Sequence, residues 1–399
     1  MIRLEVDPHF HGLLQQEDTD GDRRITIHDR GPRSYVVDGY QVKGTYALSN
    51  LLQELALARE YGLQWLELDP SQLSAPPTQR LSGSIRDRCW AGLTRRIDGT
   101  GLREVLNDPK MPSHPRLYLP ADDLRAQQYY AQFLNQFDFD LLILPAKITP
   151  EYVLELNESP GLLGLAVEEE PLPYVVPGGR FNELYGWDSY FIGLGLLQDG
   201  LTDLAQALIK HQVYQIRHYG QVLNANRSYY LTRSQPPFLT RFLSELLRHR
   251  SYPQAFVEKV LITAMDEYAR CWTSGPRQTL CGLSRYLGQG IGMPPETEPG
   301  HYNAVLLPFA EAIQLPLEIF ERRYLRRQIE CPALDEYFTH DRTVRESGHD
   351  TSYRLEGRAA HLCTVDLNSL LYRYEVDLAD LLEGHCGGCL LYTSPSPRD

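Results

Sequence analysis

Hydrophobic residues at helical spacing fill most of the chain between residues 50 and 383, and loops rich in Gly, Pro and aromatic residues separate these segments. The segment from Leu201 to Tyr219 is typical, because Leu204 and Leu208 lie one helical turn apart and Gly220 follows where a helix would end. Further helices are predicted at 51–61, 240–250, 254–272, 302–328, 333–342 and 357–383. Only 24–37 and 141–145 have strand-like patterns. Consecutive helices of about 15 to 20 residues can close into a toroid without a sequence repeat, so an all-α fold is predicted.

Charge and composition exclude several classes of protein. The 399 residues carry 39 Lys plus Arg against 52 Asp plus Glu, a net charge of -13, which would repel a nucleic-acid backbone. Hydrophobic residues, 42% of the chain, suit a packed core, but no apolar run approaches the roughly 18 residues of a membrane span. The acidic N-terminus lacks the apolar core of a signal peptide, and the seven cysteines lack zinc-site spacing. We therefore predict a cytoplasmic protein with neither a nucleic acid nor a membrane as its partner.

Composition divides the chain into three parts. Residues 1–48 combine an acidic loop with short extended segments and an Asp38-Gly39 turn, which predicts a small attached module. Residues 49–383 form the helical body. In residues 384–399 the periodicity gives way to a tract of Gly, Cys and Ser-Pro, which we interpret as non-native sequence of vector origin; a flexible native tail is the alternative.

The segment from Pro177 to Phe191 has the residue types that bind sugars. Two glycines allow the backbone to approach a ligand, and Arg180 offers a rigid fork of hydrogen-bond donors. Trp187 provides a flat surface for stacking, and the adjacent Asp188 accepts hydrogen bonds from hydroxyl groups. For the Pro-Gly-Gly start alone, a simple turn before a helix is the alternative.

Two further loops have the composition of a polar pocket. Between Asn224 and Phe238, amide and guanidinium groups alternate with tyrosines, a pattern that suits a ligand with many hydroxyl groups. The segment from Gly288 to Glu298 contains Gly-x-Gly-x-Gly, but no strand and helix flank it, so we reject a nucleotide site. We interpret it as an irregular loop that holds Glu296, for which a merely solvated side chain is the alternative.

The segment from Val344 to Arg354 contains the candidate catalytic acid, Asp350. Hydrolysis of a glycosidic bond needs one carboxylic acid to protonate the leaving oxygen and a second carboxylate to activate water or attack the sugar. Glu346 stands four residues before Asp350. If a helical turn forms there, the two carboxyl groups are neighbours, and their repulsion keeps one of them protonated.

These segments resemble the trehalases, the α,α-trehalose glucohydrolases. The string from Pro177 to Phe191 matches the first signature of that family at every fixed position, and Glu-Ser-Gly-His-Asp at 346–350 is typical of its fungal cytosolic branch. The resemblance implies an (α/α) toroid of the six-hairpin glycosidase type, incomplete here, which hydrolyses trehalose to two glucose molecules with inversion. It implies Asp350 as the acid. It also implies these substrate-binding residues: Arg180, Trp187, Asp188, Asn224, Arg233, Ser234, Gln235, Glu296 and Arg345.

The second carboxylate of the mechanism has no counterpart in the sequence motifs. In trehalases the general base is a Glu well beyond the acid, accompanied by a Gln-Trp-Asp-x-Pro signature, and neither is found in this chain. The resemblance therefore implies that the chain is the N-terminal part of a catalytic domain and is inactive by itself. Another helical-toroid glycosidase and a sugar-binding pseudo-enzyme remain alternatives.

The acidic loop from Asp18 to Asp29 has the ligand spacing of a twelve-residue calcium loop. Oxygen-bearing side chains occupy positions 1, 3, 5, 9 and 12, and Arg24 at position 7 offers its backbone carbonyl. Arg23 replaces the expected Gly at position 6, so we expect weakened binding. The predicted ligands are Asp18, Asp20, Asp22, Arg24 and Asp29. A solvated acidic turn is the alternative.

Resemblance to fungal neutral trehalases implies that calcium acts at this loop as a regulator, together with a 14-3-3-type adaptor. No organic cofactor is predicted. A different class of function is also consistent with the sequence, namely a calcium-responsive scaffold whose sugar pocket is vestigial.

Overall fold

The computed structural model describes residues 1–106, 114–350 and 354–386. By its internal contacts the chain separates into a first unit, Met1–Ala91, and a larger second unit that begins at Gly92. The boundary predicted near residue 48 falls inside a helix of the first unit, Thr45–Glu60. Most of the predicted tail, residues 387–399, lies outside the described residues.

The first unit combines two short antiparallel ladders with two main helices. Its elements are β1 (Ile2–Glu5), α1 (Val6–Glu17), β2 (Ser34–Val37), β3 (Tyr40–Lys43), α2 (Thr45–Glu60), β4 (Trp65–Leu68), α3 (Pro70–Leu73) and α4 (Pro77–Ser84). β1 pairs with β4, and β2 pairs with β3 across the predicted Asp38-Gly39 turn. Leu13 of α1 and Leu48, Leu51 and Leu55 of α2 are fully buried, so the apolar faces of both helices form the core.

The second unit is mainly helical. After α5 (Trp90–Leu93), which spans the division, it contains β5 (Thr94–Arg95), α6 (Gly101–Leu106), β6 (Arg116–Pro120), α7 (Leu124–Ala131), β7 (Asp140–Leu144), α8 (Pro150–Leu156), β8 (Leu162–Leu163), β9 (Tyr174–Val175), α9 (Asp188–Gln198), α10 (Thr202–Tyr219), α11 (Leu239–His249), α12 (Gln254–Glu267), α13 (Asn303–Ala312), α14 (Leu317–Leu325), α15 (Pro332–Glu346) and α16 (Val365–Cys386).

The helices α9 to α12 pack together through apolar residues, and helices were predicted at the positions of α10, α11 and α12. α10 ends at Gly220, which adopts a left-handed φ of 85°. On α11, Phe242 and Leu246 are fully buried. α9 approaches α11 closely at Gly193, where an added Cβ would lie 2.2 Å from the ring of Phe242. Glycine is therefore required at this helix crossing.

Two predicted helices differ from the observed ones. The span predicted at 302–328 is two helices, α13 and α14, because Pro316 lacks the backbone N–H that a continuous helix needs. The helix predicted from 357 begins at Val365, after a 3₁₀ turn at Ala359–His361. Of the helices that the structure describes, none alone has the length and apolar character of a membrane span, and the bent pair α13 and α14 has them only in combination.

A small parallel sheet lies in a region where the sequence predicted a strand only at 141–145. β6 pairs in parallel with β7 on one side and with β8 on the other. Leu117, Tyr118 and Leu119 of β6 are all buried. A strand that is covered on both faces shows no alternation of polar and apolar residues, which is why the pattern did not reveal it.

Candidate active site

Helix α15 ends where the predicted catalytic segment begins. Gly348 has a φ of +76°, a left-handed conformation that stops the helix at low cost only in glycine. Glu346, the last helical residue, is fully buried, whereas Asp350 lies beyond the helix end and is exposed. The helical turn that would make these two carboxyl groups neighbours does not form, so that expectation is wrong.

The buried carboxylate of Glu346 is bonded to groups from other segments of the chain. It accepts hydrogen bonds from the backbone N–H groups of Ser234 at 3.0 Å and Leu287 at 2.6 Å. It also forms an ion pair with the buried guanidinium of Arg277. Such partners are needed because a buried, unpaired carboxylate is strongly destabilising. Glu346 therefore joins the end of α15 to the loop from Asn224 to Phe238 and to Leu287, which directly precedes the glycine-rich loop.

Hydrogen bonds join the segment of Gly186, Trp187 and Asp188 to the loop from Asn224 to Phe238. The N–H of Gly186 donates to the carbonyl of Asn224 at 3.1 Å, and the N–H of Trp187 donates to Oε1 of Gln235 at 2.8 Å. A Cβ added to Gly186 would lie 2.6 Å from the carbonyl oxygen of Leu223, so only glycine permits this approach. Trp187 and Asn224 consequently lie on neighbouring stretches of backbone.

The segment from Pro177 to Phe191 meets the predicted catalytic segment at Trp187. A Cβ added to Gly348 would lie 2.5 Å from the Trp187 indole, so the ring packs directly on that backbone. Burial raises the pKa of the Asp188 carboxyl, and the charge of Asp350 raises it further. The charge of Asp350 therefore acts on the Asp188 carboxyl.

Ion pairs bring together residues from three predicted segments, 224–238, 288–298 and 344–354. Arg233 lies 2.5 Å from the carboxylate of Glu296, and Arg345 lies 3.8 Å from the same oxygen. Nδ2 of Asn224 donates to the backbone carbonyl of Arg345 at 3.4 Å. Burial lowers the pKa of Arg233, but Glu296 outweighs it, and the net pKa is raised. The cluster therefore presents two permanent cations and one carboxylate. Nε of Arg233 is buried and has no hydrogen-bond partner.

Two residues that the sequence analysis did not select hold Arg345 from its other side. Its Nε lies 2.9 Å from a carboxylate oxygen of Asp341, and its Nη2 lies 3.2 Å from the hydroxyl of Tyr302. The same hydroxyl donates to Asp341 at 2.6 Å. Burial lowers the pKa of Arg345, yet Asp341 and Tyr302 raise it above its usual value. The only sequence signal for this arrangement is the helical spacing of Asp341 and Arg345.

Two candidate residues differ from the others in exposure or orientation. The Arg180 side chain is 70% exposed, lies 3.3 Å from Glu298, and covers the ring of Phe181. Ser234 is fully buried, and its hydroxyl donates to the carbonyl of Val222 at 2.7 Å. Arg180 is therefore open to solvent, whereas the hydroxyl of Ser234 stabilises the backbone.

In the first unit, the acidic loop directly follows α1. Carboxylate oxygens of Asp18, Asp20 and Asp22 all lie within 4.8 Å of one another. Arg23 has a φ of 64° and its N–H donates to Asp18 at 2.9 Å. Arg23 thus adopts the left-handed conformation that glycine supplies at this position of calcium loops. The three aspartates form an oxygen-rich group suited to a hard cation such as Ca²⁺.

Asp29 lies outside this group. The Asp29 carboxylate accepts hydrogen bonds from the N–H and hydroxyl groups of Thr19 and Thr26, at 2.7 to 3.2 Å. The backbone N–H groups of Thr26 and Thr19 lower the pKa of Asp29 to about 2. The N–H of Arg24 donates to Asp22 at 2.8 Å. Asp29 therefore closes the loop, and the structure does not bring it to the other predicted ligands.

Residues 61–389 match the family model described as trehalase. The chain belongs to the trehalase family. Residues 10–35 match the family model described as the neutral trehalase Ca²⁺ binding domain, so the predicted calcium-binding module is confirmed.

The similar proteins are fungal trehalases. The cytosolic neutral trehalase of Emericella nidulans is 47% identical over 95% of this chain, and that of Saccharomyces cerevisiae is 44% identical over 96%. The chain covers 54% and 55% of these proteins, about half their length. A solved neutral trehalase from Saccharomyces cerevisiae aligns with a TM-score of 0.74 and 45% identity, over 78% of this chain and 61% of that one. The predicted family and fold class are therefore confirmed.

The glycine-rich loop of this trehalase-family chain surrounds an arginine that the sequence analysis did not select. A Cβ added to Gly288 or to Gly290 would lie 3.0 or 2.9 Å from side-chain atoms of Arg342. Arg342 donates a hydrogen bond to the carbonyl of Gly292, and burial together with the charge of Arg233 lowers its pKa to about 10. The glycines make room for a buried side chain, which accounts for their spacing.

Glu336, His340 and His361 form a second group with the composition of a metal site. Nδ1 of His340 accepts a hydrogen bond from the N–H of Ala360 at 3.1 Å, which in a neutral ring places the proton on Nε2. Nε2 then cannot donate its lone pair to a metal. The trehalase-family calcium module is the better metal site within the described residues.

A cavity of about 390 Å³ borders the loop that carries Glu296. Met293, Thr297, Glu298 and Tyr302 contribute to its lining, but the candidate substrate residues do not. The ion-pair cluster, rather than this cavity, contains the groups suited to sugar recognition, because charged and amide groups converge there.

Proposed function

We propose that this chain forms the substrate-binding and proton-donating part of an inverting α,α-trehalase, which hydrolyses trehalose to two glucose molecules. The observation that carries the proposal is the convergence of Arg233, Glu296 and Arg345 beside Asn224 in a chain of the trehalase family. A disaccharide with many hydroxyl groups needs such a set of charged donors and acceptors.

Each candidate residue has a role in this proposal. The buried Nε of Arg233 lacks a partner, which supports its use as a donor to a sugar hydroxyl. Glu296 accepts from hydroxyl groups, and Arg345 and Asn224 donate to them. The Trp187 indole provides the stacking surface.

The remaining candidates either contact substrate at the edge of the site or stabilise its backbone. Asp188 accepts from a hydroxyl group near Asp350, and the exposed Arg180 contacts substrate at the entrance. The side chains of Ser234 and Gln235 hold the backbone, since the hydroxyl of one and the amide oxygen of the other bond main-chain groups.

We propose Asp350 as the general acid. It lies at an exposed position beyond the end of α15 and close enough to Asp188 to affect its pKa. An inverting mechanism also needs a general base on the opposite face of the sugar, separated from the acid by roughly 6.5–9.5 Å. We assign this base to the part of the longer trehalases that this chain does not span, and we therefore expect the chain to bind trehalose without hydrolysing it.

The calcium module is proposed to regulate the complete protein. Asp18, Asp20 and Asp22 would hold Ca²⁺ through side-chain oxygens, and the carbonyl of Arg24 would add a ligand. Asp29 joins the set only if the ion displaces its bonds to Thr19 and Thr26. We further propose a cytoplasmic location, in keeping with the cytosolic neutral trehalases named above, and a 14-3-3-type adaptor as a regulatory partner.

Calorimetric titration with trehalose tests the proposal. We expect measurable binding by the chain and at least a tenfold weaker affinity for Arg233→Lys, since a charged hydrogen bond contributes about 1.5–3 kcal/mol. Arg248→Lys, at an exposed position, is the matched control. A correctly folded chain that does not bind trehalose would overturn the assignment of the site.

Glucose release tests whether the general base lies outside this chain. We expect no glucose from the chain with or without Ca²⁺. If glucose appears, with equal amounts of α and β anomer in early proton NMR spectra, the base lies within this chain and our assignment of it is wrong. Calcium binding without trehalose binding would instead favour the calcium-responsive scaffold.

A further inference from the structure

Two cysteines that the proposed function does not use meet at one hydroxyl group. The Thr279 Oγ1 atom lies 3.1 Å from Sγ of Cys281 and 3.4 Å from Sγ of Cys363. These residues are 82 positions apart in the chain, because 363 minus 281 is 82. Cys281 is exposed and Cys363 is partly exposed, so reagents in solution can reach the pair.

The backbone around the two thiols is held in place by direct hydrogen bonds. The N–H of Ser284 donates to Oδ1 of Asn368 at 2.9 Å, and Nδ2 of Asn368 donates to the carbonyl of Ser284 at 2.9 Å. Arg285 also donates to the carbonyl of Ala360 at 2.8 Å. The turn that carries Cys281 is therefore fixed against the segment that carries Cys363, and the shared Thr279 hydroxyl keeps the two sulfur atoms close to each other.

The surroundings of Cys281 favour its thiolate form. The Thr279 hydroxyl, a backbone hydrogen bond at Leu283 and the Cys363 thiol lower the pKa of Cys281. The thiolate is the form that attacks peroxides and disulfides. Cys271 is a useful contrast, because burial raises its pKa to about 12.

Metal binding does not explain the pair. Within the part of the chain that the structure describes, neither Cys281 nor Cys363 belongs to a group of three potential metal ligands. A structural zinc site needs four ligands, and two thiolates alone do not supply them.

We propose that Cys281 and Cys363 form a peroxide-sensitive thiol pair that converts reversibly to a disulfide. In the first step the Cys281 thiolate attacks hydrogen peroxide, an S–O bond forms, the O–O bond breaks, and the released hydroxide takes up a proton to become water. In the second step the Cys363 sulfur attacks the Cys281 sulfenic acid, an S–S bond forms, and the S–O bond breaks with release of a second water. Two thiols are oxidised and one peroxide is reduced to two waters.

The disulfide would join the two ends of a chain segment that contains several candidate active-site residues. The chain between the two cysteines contains Glu296, Arg345 and Asp350, and Cys363 lies just before α16. The disulfide closes this segment into a covalent loop, which reduces the conformational freedom of the unfolded chain. The oxidised form should therefore unfold at a higher temperature. The cross-link itself does not depend on the proposed trehalase activity.

Peptide mapping tests the proposal on the full 399-residue chain. The Cys-x-x-Cys pair of the C-terminal segment is removed beforehand by Cys386→Ser and Cys389→Ser, so that it cannot react. The protein is treated with hydrogen peroxide, free thiols are alkylated, and the peptides are mapped by mass spectrometry without reduction. We expect one major disulfide, Cys281–Cys363, which dithiothreitol reverses, and a higher unfolding temperature before reduction.

Variants identify the role of each thiol. Cys363→Ser should leave Cys281 as a sulfenic acid that dimedone traps, and Thr279→Val, which keeps the shape but removes the hydroxyl, should slow oxidation several-fold. Cys89→Ser, at an exposed cysteine of the first unit, should change neither result. Circular dichroism confirms that each variant folds. The proposal is overturned if Cys281 reacts no faster than Cys89 in folded protein, or if the two cysteines pair with other thiols.

Discussion

The backbone N–H of Ser234 donates to the buried carboxylate of Glu346 at 3.0 Å. This bond joins two segments that are more than a hundred residues apart, since 346 minus 234 is 112. One segment contains Arg233 and Gln235, and the other contains Arg345. Because Arg277 neutralises the same carboxylate, a single buried ion pair positions side chains on both sides of the candidate site.

Removing this carboxylate should strongly destabilise the chain. Glu346→Ala leaves the Arg277 guanidinium buried without its counter-ion, and breaking a buried pair in this way costs about 3–5 kcal/mol. Urea denaturation measures the change. Glu336→Ala, on the exposed face of the same helix, is the control and should change stability by less than about 0.5 kcal/mol. A similar small effect for Glu346→Ala would show that the ion pair is not structurally important.

A methyl group at Gly348 should disturb the sugar site through Trp187. In Gly348→Ala the added Cβ would lie 2.5 Å from the indole, so the ring must move, and we expect at least tenfold weaker trehalose binding. Gly357→Ala is a matched control, since its φ of +66° imposes similar backbone strain but open space surrounds the added Cβ. Equal losses of binding in both variants would attribute the effect to backbone strain alone.

Stability should fall as the pH rises from about 4.5 to about 7. Burial raises the pKa of Glu267 from 4.5 to about 7, although the Tyr374 hydroxyl and the Val222 N–H oppose the shift. Within this window the unfolded state releases the proton and the folded state retains it, so ionisation favours unfolding. The effect should reach a few kcal/mol. Denaturation of Glu267→Gln across this range should show a smaller slope than the parent chain. An identical pH dependence in both proteins would exclude Glu267 as its source.

Calcium affinity should depend on the three aspartates that lie together. Asp20→Asn removes one negative charge from the group, and we expect at least a tenfold weaker affinity in a calcium titration, because ligand charge tunes such sites. Asp38→Asn, in the β2–β3 turn, removes the same charge outside the loop and should leave calcium affinity unchanged. If both substitutions weaken binding equally, net charge rather than coordination explains the affinity.

The helical elements were predictable because their signals are local. Leu204 and Leu208 at helical spacing, with Gly220 at the end, indicated α10 with nearly correct limits. The strand β6 gave no such signal, because its residues are buried on both faces. Local patterns report which residues share one face of an element, but not which distant segments will cover it.

The connections within the candidate site were not predictable from the sequence. The resemblance implied Arg233, Glu296 and Arg345 as substrate-binding residues, and the structure joins these three through ion pairs. The partner of Glu346, in contrast, was wrongly expected to be Asp350. Spacing alone suggested a continued helix, whereas Gly348 ends the helix and long-range contacts determine the partner, Arg277.

The abrupt end of α15 implies that this stretch tolerates changes of side chain far better than changes of length. Successive helical residues are rotated by about 100°, so one inserted residue before Arg345 would turn both Arg345 and Glu346 away from their partners. Asp350, fixed after Gly348, would shift along the axis at the same time. Insertions and deletions between Pro332 and Asp350 should therefore be rare among functional relatives, and length is the feature by which divergent sequences of this segment can be aligned.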